Sequence, residues 1–139
     1  MPANDATEFS SQELLSAAHE ARAKAYAPYS KFEVGAAVDV GDGVIFTGGN
    51  VENVSYGLSI CAERATICAA VAAGYRTIVA IAVAGPPGAL TAPCGACRQF
   101  ISEFGSKARV TYTTPHGERT TTIDALLPDS FGPGALDHA

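Results

Sequence analysis

The chain has 139 residues, 47% apolar and 17% charged, with 9 basic against 14 acidic side chains and a formal net charge of -5. That length suits one hydrophobic core and is short for two, and so apolar a composition excludes a disordered chain. Net negative charge argues against a polynucleotide partner, which needs a basic surface, and no run approaches the roughly 18 to 20 uncharged apolar residues of a membrane span.

Asp5 and Glu8 stand where a secretory signal would carry positive charge and then an apolar stretch, so a cytoplasmic location is expected. In that reducing compartment four cysteines serve as metal ligands, redox groups or apolar fillers rather than disulfide partners.

Ser10 to Glu13 fits a capping box, and Leu14, Leu15, Ala17, Ala18, Ala21 and Ala25 recur at helical spacing as far as Pro28, predicting a first helix of about 15 residues. Phe32, Val34, Ala36, Val38 and Val40 then alternate, Gly41-Asp42-Gly43 breaks the run, and Val44 to Thr47 resumes it, the pattern of a β-hairpin. Cys61 to Ala73 is alanine-rich and free of Gly and Pro, and Gly74 suits the residue that ends a helix. Thr77 to Ala84 reads as a strand covered on both faces. A third helix is expected from Gly95 to Phe104, closed by Gly105, and a strand at Arg109 to Thr113. A further strand at Glu118 to Thr122 and a helical turn at Ile123 to Leu127 complete the pattern. Strands alternating with helices predict an α/β fold with parallel neighbours and helices on the faces of the sheet.

Cys61-Ala62-Glu63 and Pro93-Cys94-Gly95-Ala96-Cys97 both fall at predicted helix starts. There the free backbone amides and the positive end of the helix dipole favour thiolates. Three converging sulfurs leave one position of a tetrahedral zinc open, as a catalytic site requires. Cys68 lies about 10 Å further along the helix axis than Cys61, too far to share the metal, and is expected to be a buried filler. A bare Cys-x-x-Cys could equally be a redox pair; the upstream Cys-x-Glu and the two helix starts favour zinc. Glu63 beside the metal can carry protons, although a first-turn glutamate also simply complements a helix dipole. Three thiolates and one divalent ion sum to about -1, and the adjacent Arg64 could offset it. His19, His116 and His138 lie outside these motifs and are expected at the surface.

Cys61-Ala62-Glu63-Arg64 followed by Pro93-Cys94-Gly95-Ala96-Cys97-Arg98-Gln99 resembles the three-cysteine branch of the cytidine deaminase superfamily. The likeness extends through Pro28-Tyr29-Ser30-Lys31-Phe32, Val34-Gly35-Ala36-Ala37, Asn50-Val51-Glu52-Asn53 and Leu126-Leu127-Pro128 with Phe131. It implies a single catalytic domain over residues 1–139, built as a three-layer α/β/α arrangement on a five-stranded mixed sheet. It implies one Zn2+ per subunit on Cys61, Cys94 and Cys97, Glu63 as proton shuttle, and Arg64 balancing the charge of the sulfurs. Asn50 and Glu52 would grip the ribose hydroxyls, Phe32 and Ala62 would line the nucleoside site, and Phe131 would stack on the base in a neighbouring subunit of a homotetramer.

The implied reaction is hydrolytic deamination of free cytidine and 2'-deoxycytidine to the uridine products in pyrimidine salvage. A neutral nucleoside needs hydrogen-bonding amides and carboxylates with one or two aromatic faces, not a basic patch, which suits the acidic composition. Taken singly, Asn50 to Asn53 also fits a polar turn and Phe32 a core side chain. The competing functions are an aminonucleoside antibiotic deaminase of the blasticidin S type, a polynucleotide deaminase, a non-catalytic zinc-stabilised binding module and a dithiol redox protein using Cys94 and Cys97.

Overall fold

A computed structural model describes residues 8–136; Asp5 and His138 lie outside them. Five strands, β1 (Gly35–Asp39), β2 (Ile45–Gly49), β3 (Ala80–Ala84), β4 (Arg109–Thr114) and β5 (Gly117–Thr122), form one mixed sheet in the order β2-β1-β3-β4-β5. Helix α1 (Ser11–Ala21) packs on β1 and β3, while α2 (Ala62–Ala72) and α3 (Gly95–Phe104) lie together with the short turn α4 (Ile123–Leu126) on the other face.

Alternation along the strands explains the two layers. In β3, Ala80, Ala82 and Ala84 face α1, whereas Ile81 and Val83 point into the larger core with Val38, Val110, Ile67 and Ile101. Small side chains let α1 approach closely, and the approach is closest at Gly35, where a Cβ would lie 2.1 Å from the Ala18 carbonyl oxygen. Any larger residue there would have to push α1 off the sheet. The capping box forms as expected, with Ser10 Oγ accepting from the Glu13 amide at 3.0 Å and Glu13 Oε1 accepting from the Ser10 amide at 2.8 Å. Beyond α1 the chain tightens into a 3-10 turn at Arg22–Lys24, ending the helical stretch before Pro28.

The expected parallel pairing occurs only between β3 and β4. The helix-linked strands β2 and β3 are not neighbours, because β1 pairs antiparallel with both of them. The hairpin partner of β2 thus occupies the position that a simple strand-helix-strand unit would have given to β3. One consequence positions the site. Strands β2 and β3 run in the same direction, and Gly35 is registered against both Gly49 and Ala84, their last residues. The segments leading into α2 and α3 therefore leave the sheet side by side.

Cys68 is exposed rather than buried. Thr66, Ile67 and Ala70 carry the inward face of α2, and a turn of about 100° per residue places Cys68 outside it. Phe32, too, is no core side chain, being 41% exposed. His19 and His116 lie at the surface as expected.

Candidate metal centre

Cys61 is the N-cap of α2 and Cys94 the N-cap of α3, and neither helix start has a side-chain hydrogen bond capping it. Both sulfurs therefore stand where unpaired backbone amides and the positive helix end favour negative charge. Cys97, one turn into α3, is buried. The Sγ atoms of Cys61, Cys94 and Cys97 all lie within 4.8 Å of one another, and those of Cys61 and Cys94 are 4.0 Å apart. Sulfurs bound at about 2.3 Å to a tetrahedral zinc would sit about 3.8 Å apart, so the spacing suits that ion.

The protonation of the three sulfurs gives a second test of fit. A hydrogen bond from Cys97, with the guanidinium of Arg64 adding its own, pulls the Cys61 thiol down to about 5. The same shared bond, reinforced by burial, pushes the Cys97 thiol up. Three thiolates cannot coexist at this distance without a cation between them, and a divalent ion would supply that charge. Arg64 donates from Nη2 to Cys61 Sγ at 3.6 Å, the contact expected of a charge-balancing neighbour.

Glu63 is 4% exposed in the first turn of α2. Desolvation pushes its carboxyl up to about 7, with the negative Cys61 adding to the rise and its own backbone amide opposing it. A carboxyl near neutrality can both take and release a proton. It lines a cavity of about 160 Å³ with Cys61, Cys94, Asn50, Ala62 and Val34, closed by Thr91 and Ala92. Val34, Thr91 and Ala92 escaped the sequence reading because nothing in an isolated apolar or hydroxyl residue marks it as a wall. Thr91 owes its place to a close approach: a Cβ on Gly85 would lie 2.0 Å from its Oγ1.

The remaining expected residues divide. Asn50 reaches the metal-side cavity, accepting from the Val34 amide at 2.9 Å and donating to the Phe32 carbonyl at 2.9 Å. Those two bonds leave its amide group one donor and one lone pair. Glu52 lines a separate recess of about 310 Å³ with Tyr29, Ser30, Tyr56 and Ser59. There it accepts from the Tyr29 and Ser30 amides at 3.0 and 3.1 Å and from the Ser30 hydroxyl, and that hydroxyl chiefly holds its carboxyl below the ordinary range. Phe32 and Phe131 line neither space; Phe131 is 63% exposed, and its carbonyl accepts from Gln99 Nε2 at 2.7 Å.

Comparison with known proteins agrees with this geometry. The sequence model described as cytidine and deoxycytidylate deaminase zinc-binding region matches residues 9–114. A cytidine deaminase of Mycobacterium tuberculosis is 46% identical over 115 residues, 83% of this chain and 84% of that protein. One of Sporosarcina psychrophila is 42% identical over 130 residues, 92% and 96% of the two chains. The crystal structure of cytidine deaminase from Burkholderia pseudomallei superposes with a TM-score of 0.83 at 50% identity, covering 88% of this chain and all of that one. With three sulfurs at two helix starts and a buried glutamate beside them, the chain belongs to the cytidine and deoxycytidylate deaminase family.

Proposed function

We propose that this chain is a zinc-dependent hydrolase that converts free cytidine and 2'-deoxycytidine to uridine and 2'-deoxyuridine with release of ammonia, its residues forming a single catalytic domain. The observation that carries the reading is a cluster of three sulfurs within 4.8 Å of one another, two of them lining the same cavity as one desolvated carboxyl. Cys61, Cys94 and Cys97 would hold one zinc ion, which supplies the Lewis acidity that makes water nucleophilic near neutral pH.

Glu63 then does the proton work. Its carboxylate accepts the two protons of the attacking water in turn, passing the first to N3 and the second to the exocyclic nitrogen of cytosine as the C4 oxygen becomes a carbonyl. A bond from oxygen to C4 forms, the bond from C4 to nitrogen breaks, and ammonia leaves. Asn50, with its spare donor and lone pair, and Glu52 bind the sugar hydroxyls. Ala62 forms the floor beside the base, Arg64 offsets the excess negative charge of the sulfurs, and Phe32, outside the cavity but tied through its carbonyl to Asn50, would pack along the nucleoside from the rim.

We further propose a homotetramer with shared active sites. A cavity of about 160 Å³ is small against the roughly 300 to 1,000 Å³ of ordinary ligand sites, so one chain leaves a nucleoside poorly enclosed. The chain also exposes apolar side chains on one stretch: Tyr26, Val51 and Ile60, joined by backbone bridges, and Tyr56 and Leu58 in the turn between Val51 and Ile60. Such exposed apolar side chains support burial against another copy of the chain, and Phe131, exposed on its own chain, would then close a neighbour's pocket. A reducing cytoplasmic setting suits four unpaired cysteines.

The test is to incubate metal-analysed protein with cytidine, deoxycytidine, adenosine and an aminonucleoside antibiotic and to follow ammonia. Release from the two cytosine nucleosides is expected. Zinc-loaded protein that leaves both intact overturns the proposal.

A further inference from the structure

Arg98 and Gln99 follow the last sulfur ligand directly, and both side chains reach out of α3 to the C-terminal segment. Arg98 makes three bonds of different kinds. Its backbone amide donates to the Cys94 carbonyl at 2.9 Å, its Nε to the Pro93 carbonyl at 2.8 Å, and its Nη1 to the Leu126 carbonyl at 3.0 Å. Two successive carbonyls of the loop that carries Cys94 are thus held by one residue, and the same planar guanidinium fastens that loop to the end of α4. Pro93 is fully buried, so its carbonyl has little access to water as a substitute partner. Ile123, at the start of α4, is also fully buried, which fixes to the core the turn that carries the far anchor of the brace. Gln99 ties a later point of the segment, the Phe131 carbonyl, without touching the loop.

We propose that Arg98 is a positioning residue for the metal centre: its guanidinium sets the spacing of Cys94 and Cys97 by bracing the Pro93–Cys94 loop against the C-terminal turn at Leu126. The inference rests on the three cysteines holding a metal, but not on what substrate the protein turns over. A lysine, with a single ammonium on a flexible stem, cannot hold two carbonyls in the fixed fork of a guanidinium. Groups that orient metal ligands at second hand typically govern affinity by about 10- to 100-fold.

The experiment compares the full-length protein with R98K, R98M and Q99L, each loaded with zinc and, separately, with cobalt. Zinc release to a chromogenic chelator and the visible d–d bands of the cobalt form report on the sulfur site without reference to turnover. Both Arg98 variants are expected to release zinc at least about tenfold faster and to shift the cobalt bands, while Q99L, which cuts only the tie to Phe131, matches the parent in both. L14A, in the core beneath α1 on the other face of the sheet, serves as a control for general destabilisation. Release and spectra unchanged in R98K and R98M overturn the proposal, as does equal acceleration in Q99L or L14A. Failure of all forms, the parent included, to bind zinc or cobalt would instead overturn the metal centre itself.

Discussion

Two buried carboxylates at opposite ends of the sheet have opposite surroundings. Asp39, the last residue of β1, is fully buried, and its oxygens accept from the amides of Phe9 at 3.1 Å and Gly41 at 2.9 Å; Phe9 in turn offers its carbonyl to Arg109 Nη2 at 2.7 Å. Each of these side-chain bonds fastens one stretch of backbone to another. Glu63 lies near the Gly35 end, almost as deeply buried, but it faces a cavity and three sulfurs. Burial among satisfied partners makes a carboxylate a rivet, whereas burial beside an open cavity and charged sulfurs leaves it able to exchange protons, the role proposed for Glu63.

Mutation can break or sharpen that contrast, and the largest effect belongs to the metal. Removing it with a chelator, or replacing Cys97 with serine, should abolish ammonia release, and added zinc should restore the chelated parent alone. Activity that survives in verified metal-free protein would separate the sulfurs from the reaction. Next, Glu63→Gln should retain zinc while lowering kcat by at least about 10²- to 10⁴-fold, the range of general acid-base catalysis. Steady-state rates normalised to metal content check this, and near-normal turnover would reduce Glu63 to a helix-end charge.

Ending the chain before Pro128 removes Phe131 and should cost more activity than stability if that ring completes a neighbour's pocket. Unchanged kcat/KM after truncation points to a self-contained site. At the far end, Asp39→Asn leaves one amide without its acceptor and should lower unfolding free energy by about 1–3 kcal/mol in urea titrations. The rate per folded, zinc-loaded molecule should not change; a fall in kcat would erase the distinction between the two ends.

The smallest expected effect concerns Glu52. Its carboxyl is held below the ordinary value, so the anchorage of the Tyr29–Ser30 turn is complete above the ordinary carboxylate range and is lost as pH falls through the depressed folded value. The apparent KM should accordingly stay level from neutrality to mild acid and rise only below that range, and Ser30→Ala should move the rise to higher pH.

Much of the fold and of the site is legible in the sequence. The capping box at Ser10 and Glu13, the hairpin around Gly41-Asp42-Gly43 and the third helix from Gly95 to Phe104 depend on local chemistry, and the structure matches them. Cys61 and Cys94 at helix starts are local facts as well. Legibility failed where a residue's setting depends on something distant. Cys68 was misjudged because burial on α2 depends on which face the sheet covers, and alanines on every side blur the amphipathic signal. The walls Val34, Thr91 and Ala92 carry no chemical mark of their own.

Residue type and short-range spacing determined the elements, the sulfur donors and the acid beside them, because capping, helical periodicity and ligand chemistry act over a few residues. Which strands lie side by side was settled only by long-range pairing. Setting β1 between β2 and β3 brings the ends of two chain-distant strands to either side of Gly35, and with them Cys61 and Cys94, 33 residues apart in the chain, to within 4.0 Å. No local preference specifies that meeting; it follows from burying both faces of a single sheet.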